Sequence, residues 1–319
     1  MTDVGPSADA GMTPGADMAL SPDGGNAPDG APAPAADAAP PLPEPTFGLT
    51  MASLAHDGGM REYLIYVPAS YSADTPTPVI LNFHGNGGTA RAHLQEADMR
   101  PLADRDTVIL VYPQGSVLDG ESTHWNPLLP SENNKSDADD FGFVAALLDA
   151  LAANYRIDPS RVYATGYSNG AGLTYGLACY LSDRITAIAP VSGSMYIEMQ
   201  GNCNPTHPTA VAIFNGTEDG DRPYDGFPGY LLPVDDAAAY WVQHNALSDP
   251  PTLDTFQTNG LTVERRLYTD EAGSAGVALF KIIGGQHVWF DIEVEGADQN
   301  SLIWDFLSRY DANGRRESP

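Results

Sequence analysis

Residues 161–172 read Arg-Val-Tyr-Ala-Thr-Gly-Tyr-Ser-Asn-Gly-Ala-Gly. A β-branched and aromatic run leads into Gly166-Tyr167-Ser168-Asn169-Gly170, and a helix-forming run, residues 173–181, follows at once. The pattern predicts a strand, a sharp turn and a helix, with Ser168 at the apex. Such a turn strains the serine backbone and lifts the hydroxyl clear of the sheet. Small residues on either side let strand and helix pass close together. The five-residue motif alone is a weak signal. The strand and helix around it raise its weight, and a base and an acid farther along the chain must complete it.

Outward from this turn, apolar runs alternate with helical patterns. Residues 50–54 and 61–67 read as an antiparallel pair joined at Asp57-Gly58-Gly59. Residues 78–83 and 107–112 read as buried strands, with a helix over 89–104 between them. A long loop, 116–135, precedes a helix that begins at Ser136, with Ser136 and Asp139 as a capping pair. Strands are predicted at 162–165, 185–191, 210–215, 263–268 and 277–283, and helices up to 181, over 234–246 and over 301–310. Buried strands alternating with helices predict an α/β fold with one mostly parallel central sheet covered on both faces.

The expected domain occupies residues 46–312. Residues 1–45 are almost wholly Ala, Pro, Gly, Asp, Ser, Met and Thr, with seven acidic residues and no Lys or Arg. Such a segment cannot bury enough apolar surface to offset chain entropy, so it reads as a disordered acidic linker. Residues 313–319 read as a disordered tail. The net charge is −27, which disfavours nucleic acid and anionic lipid as partners. No run is long and apolar enough for a membrane span. A signal peptide is not visible either, since Met1 is followed by an acidic stretch. A stalk of this composition ahead of a folded domain nevertheless suits a protein that is extracellular, or tethered to the cell surface through a lipid anchor. Cys179 and Cys203 are the two cysteines. A pair without a spare suits one disulfide in an oxidising compartment, two unrelated buried thiols being the alternative.

A serine hydroxyl needs a histidine within hydrogen-bond reach, and that histidine needs an acid to fix its tautomer. Of the seven histidines only His287 both follows Ser168 and a strand-end acid and sits at the tip of a predicted strand, the last one. The acid lies in Asn215-Gly216-Thr217-Glu218-Asp219-Gly220-Asp221. Asp219 is the first choice, with Asp221 in reserve and Glu218 behind it. The developing oxyanion needs backbone N–H donors. Asn169 supplies one, and the loop His84-Gly85-Asn86-Gly87-Gly88 the other, through Asn86. The loop lacks the Lys-Ser/Thr ending of a phosphate-binding loop. Asp137, Asp139 and Asp140 read as acids of a first helical turn, not as metal ligands. No cofactor or metal is called for.

Further stretches accompany these: Val111-Tyr112-Pro113-Gln114-Gly115, Trp125-Asn126, Asp139-Asp140-Phe141-Gly142-Phe143, Ile157-Asp158-Pro159-Ser160-Arg161-Val162-Tyr163, Ala189-Pro190-Val191-Ser192-Gly193 and Gly284-Gly285-Gln286-His287-Val288-Trp289. With them the chain resembles the esterases of the polyhydroxybutyrate depolymerase type, which include feruloyl and acetylxylan esterases of carbohydrate esterase family one. The resemblance runs from residue 84 to residue 306. It implies an α/β-hydrolase fold, a triad of Ser168, Asp219 and His287, and a cleft for the ester substrate lined in part by Trp125 and Trp289. It departs at Asn215, where the family usually has histidine, and at Phe290, where proline usually follows the tryptophan. The expected activity is hydrolysis of feruloyl or acetyl esters of plant polysaccharide, with hydroxyalkanoate oligomers or polyester as the alternative substrate. A non-catalytic binding protein of the same fold, or a peptidase, are the competing functions.

Overall fold

The computed structural model describes residues 42–316 apart from 119, 121, 249 and 271–275. The expected linker therefore lies outside the described residues except for its last four.

The hairpin of β1 (Gly48–His56) and β2 (Gly59–Val67) turns on only two residues, since His56 already pairs with Gly59. Asp57 (φ 48°) and Gly58 (φ 73°) both have positive φ, as the tight turn matched to strand twist requires. β3 (Thr77–Phe83) and β4 (Ile109–Pro113) are buried at every position, which marks strands covered on both faces. β5 (Ile157–Tyr167), β6 (Ala187–Val191) and β7 (Ala210–Gly216) follow, then β8 (Thr252–Thr258), β9 (Leu261–Tyr268) and β10 (Val277–Ile283). They form one sheet in the order β1-β2-β4-β3-β5-β6-β7-β10-β9-β8. The middle, from β4 to β10, is parallel, and antiparallel strands flank it on both sides.

Alternate residues of the strands feed two cores. Val79, Leu81 and Phe83 join the core under α3 (Asp140–Asn154), α4 (Asn169–Tyr180) and α5 (Val234–His244). Ile80 joins the opposite core under α1 (Ala90–Glu96), α2 (Arg100–Asp106) and α6 (Gln299–Leu307). The sheet with helices on both faces is the expected architecture.

Several local expectations need correction. The helix over 89–104 is two helices, α1 and α2, broken at Ala97-Asp98-Met99. Pro101 has no N–H for an interior turn and its ring would strike a carbonyl one turn back, so it sits where it is tolerated, in the first turn of a new helix. Ser136 does not start α3. Asp139 caps it, accepting from Gly142 N at 2.8 Å, while Ser136 Oγ meets His124 Nε2 at 2.7 Å. The 116–135 loop contains a short hairpin of Ser116–Leu118 with Ser122–His124. β8 has no counterpart in the sequence reading, although Asn259 (φ 46°) and Gly260 (φ 80°) turn its hairpin with β9 in the same way as Asp57-Gly58. The chain also remains folded past residue 312: Tyr310–Asp311 pairs with Gly314–Arg315, and Tyr163 OH donates to Tyr310 O at 2.6 Å.

Candidate active site

β5 ends at Tyr167 and α4 begins at Asn169, leaving Ser168 alone at the turn. Its φ of 55° is in the left-handed region, unusual for a non-glycine residue. The two flanking glycines are there for space. A Cβ on Gly170 would stand 2.2 Å from Phe83 O, and one on Gly166 would stand 2.7 Å from Gly170 C. Strand and helix are thus in backbone contact across the turn. Ser168 itself is 8% exposed.

The loops after β7 and β10 complete a chain of hydrogen bonds. His287 Nε2 lies 2.9 Å from Ser168 Oγ, and Nδ1 lies 2.8 Å from Asp219 Oδ2. A carboxylate only accepts, so Nδ1 carries the proton and Nε2 is left to accept from the serine hydroxyl. Asp219 Oδ1 accepts from the amides of Asp221 (2.9 Å) and Arg222 (2.7 Å). Among the three acids weighed for this loop, Asp219 alone reaches the histidine. Asp221 is exposed and takes part through its amide.

The loop carrying His287 is fixed at successive carbonyls. Gly285 O accepts from Glu218 N, His287 O from Tyr167 OH (2.8 Å) and Val288 O from Ser192 Oγ (2.6 Å). Tyr167 also lays its ring against the imidazole, with centroids 4.9 Å apart. Sequence reasoning missed both Tyr167 and Ser192. Tyr167 had a signal, being the residue next to the nucleophile, but its reach to a loop 120 residues away had none.

The glycine-rich loop after β3 runs beside the serine, since a Cβ on Gly85 would stand 3.3 Å from Ser168 Cβ. Gly87 N and Gly88 N are engaged by Thr123 O and Gly85 O. The Asn86 amide has no acceptor among the described residues, and the peptide that carries it is held through Gly85 O, which His84 Nδ1 meets at 2.7 Å. His84 Nε2 in turn accepts from Gly115 N at 2.9 Å. The Asn86 side chain accepts from Lys135 Nζ at 2.6 Å. Asn169 clamps the next segment: its Oδ1 accepts from Trp125 N (2.7 Å) and its Nδ2 donates to Trp125 O (3.0 Å).

Trp125 does not line a cleft. It is fully buried, stacked on Phe143 at an interplanar angle of 10°, with its indole N–H donated to His84 O at 3.0 Å. Packed among Phe83, His84 and Phe143, the ring supports the start of the glycine-rich loop through its bond to His84 O. Trp289 is partly exposed, its N–H bonded to Asn300 Oδ1 and its ring edge-on to His93. Cys179 and Cys203 form a disulfide between the end of α4 and the loop after β6. Closing that loop contributes roughly 3 kcal/mol in the chain-entropy description.

Burial pushes His84 down to about 4 and His93 down to about 3. An unfolded histidine titrates near 6.5, so the folded state resists protonation of both. Their contribution to stability is whole above about pH 6.5 and is lost as pH falls toward 4 and then 3. The melting temperature should fall over that window, and His93→Gln should flatten the slope. A slope that His93→Gln leaves unchanged would contradict this.

Residues 61–206 match the sequence model of the family described as Esterase PHB depolymerase. Feruloyl esterase B of Piromyces equi is 25% identical over 261 residues, covering 78% of this chain and 45% of that protein. The chain thus spans less than half the length of that relative. A probable feruloyl esterase C of Aspergillus oryzae is 26% identical over 263 residues, covering 81% of this chain and 87% of that protein. Among solved structures, an acetyl xylan esterase from Aspergillus awamori shares the fold with a TM-score of 0.57 and 16% identity, covering 81% of this chain and 99% of that one. No helix among the described residues is long and apolar enough to cross a membrane.

Proposed function

We propose that this chain, of which residues 61–206 match the polyhydroxybutyrate depolymerase esterase model, hydrolyses carboxylic esters through an acyl-enzyme on Ser168. The observation that carries the proposal is His287, in hydrogen-bond reach of Ser168 Oγ on one side and of Asp219 on the other. The Ser168 proton passes to Nε2 as Oγ attacks the ester carbonyl, and the Asp219 carboxylate stabilises the imidazolium. The amides of Asn86 and Asn169 receive the oxyanion. His287 returns the proton to the departing alcohol, and water then repeats the sequence on the acyl-enzyme.

Feruloyl or acetyl esters of plant polysaccharide are the first substrate class, in line with the feruloyl esterases that the chain resembles. Hydroxyalkanoate oligomers or polyester are the second, favoured by the family that the chain matches. Trp289, partly exposed two residues past His287, is the aromatic side chain offered to the substrate. The disulfide favours an extracellular or surface-tethered setting.

A panel of methyl ferulate, acetylated xylan and hydroxybutyrate trimer, run beside p-nitrophenyl acetate, tests this reading. Turnover of an ester that vanishes in Ser168→Ala is expected. A folded wild-type protein inert toward all four, or one that cleaves aminoacyl anilides instead, would overturn it.

A further inference from the structure

Arg222 stands three residues beyond Asp219, and its amide is one of the two that hold the Asp219 carboxylate. Six arginines, Arg61, Arg100, Arg105, Arg184, Arg265 and Arg266, each meet a carboxylate. Among the described residues, Arg222 meets none. Its one hydrogen bond is from Nη1 to Tyr196 OH at 3.2 Å, with the guanidinium carbon 5.8 Å from the Tyr196 ring centroid. None of its nitrogens is among the fully buried polar atoms left without a partner, so the unused donors still reach solvent although the guanidinium as a whole is largely desolvated.

Tyr196 locates that fork. The tyrosine is 2% exposed and packs on the first turn of α4, where a Cβ on Gly172 would stand 2.7 Å from its Cε2. Gly172 N donates to Ser168 O at 3.1 Å. Arg222 is therefore tied at its backbone to the acid of the triad, and through Tyr196 to the helix turn that carries the serine. A planar guanidinium with free parallel donors suits a carboxylate, which it can bind through two hydrogen bonds. A chain of net charge −27 disfavours an anionic substrate overall, so binding one needs a cation at the site.

We propose that Arg222 anchors a free carboxylate carried by the ester substrate. The inference rests on the ester-hydrolysis reading and narrows it to linear esters with an acidic end, such as hydroxyacid oligomers.

The test compares the free acid of the 3-hydroxybutyrate dimer with its methyl ester, following cleavage of the internal ester bond. The wild-type chain should prefer the free acid. Arg222→Met should reduce that preference roughly 10- to 100-fold, the size of a lost charge-assisted pair, through KM for the acid. Equal losses on both dimers would make Arg222 a structural residue and overturn the proposal, as would a preference that the substitution leaves unchanged. Should Arg222→Met fail to fold, Arg222→Lys carries the test. It keeps the charge but loses the fork, so the preference should fall several-fold, and an unaltered ratio counts against the proposal. A wild-type chain that cleaves neither dimer nor p-nitrophenyl acetate overturns the esterase reading and this proposal together. Cleavage without preference for the acid overturns the proposal alone.

Discussion

Asp219→Asn is expected to lower kcat on p-nitrophenyl acetate about 10⁴-fold while the protein stays folded. The reason is local. Asp219 Oδ1 accepts two backbone amides, from Asp221 and Arg222. An asparagine must keep its oxygen toward those donors, because its NH₂ group cannot accept. The NH₂ then faces His287 Nδ1, which must give up its proton to receive the bond. Nε2 becomes protonated and turns a donor toward Ser168, so it can no longer take the serine proton. Asp221→Asn, at an exposed carboxylate, should change the rate less than about threefold. Circular dichroism would report the fold of both variants. A severe loss in Asp221→Asn with Asp219→Asn active would transfer the role to Asp221.

The second large effect concerns stability. Arg61 Nη2 donates to Asp140 Oδ1 at 2.7 Å, and the Asp140 side chain has no exposure at all. The other carboxylate oxygen accepts from Asn126 N at 2.7 Å, and the guanidinium sits 4.1 Å above the Phe143 ring. Burial raises the Asp140 carboxyl above its ordinary range, against the pull of Arg61. Arg61→Met leaves that carboxylate buried without its cation, at a cost of about 3–5 kcal/mol. Adding Asp140→Asn should recover a large part of it. The pH dependence follows from the sign of the shift. A carboxyl whose folded value is raised favours the folded state once protonated, so the single variant should regain stability relative to wild type as pH drops from 7 to 5. Urea unfolding at the two pH values checks this. A loss below 1 kcal/mol would mean that the pair is solvated. Asn126 and Trp125 carry the consequence toward the glycine-rich loop, since Trp125 holds His84 O.

These two variants also mark how far the residues alone could be read. The turn at Ser168, the parallel core and His287 were legible because each has a local signature: small residues where backbones touch, apolar runs where both faces are covered, and a histidine at a strand end. Asp219 was separable from Asp221 and Glu218 only in space, where the loop amides bind Asp219. Trp125 was misread because an aromatic beside catalytic loops looks alike in sequence whether its ring faces a cleft or the core. What decides is its stacking on Phe143, 18 positions away, which leaves no mark on its neighbours. β8 escaped because an edge strand with exposed, polar alternate positions lacks the apolar run that announces a central one. The break between α1 and α2 was written in Pro101 and overlooked.

The central claim is that the Ser168 hydroxyl is the activated nucleophile. Treating the folded protein with a fluorophosphonate and locating the adduct by peptide mass tests it most directly. One adduct per chain, on Ser168, formed at a rate that collapses in His287→Ala, is the predicted result. No adduct, or one on another residue with Ser168 unmodified and esterase activity lost, would contradict it.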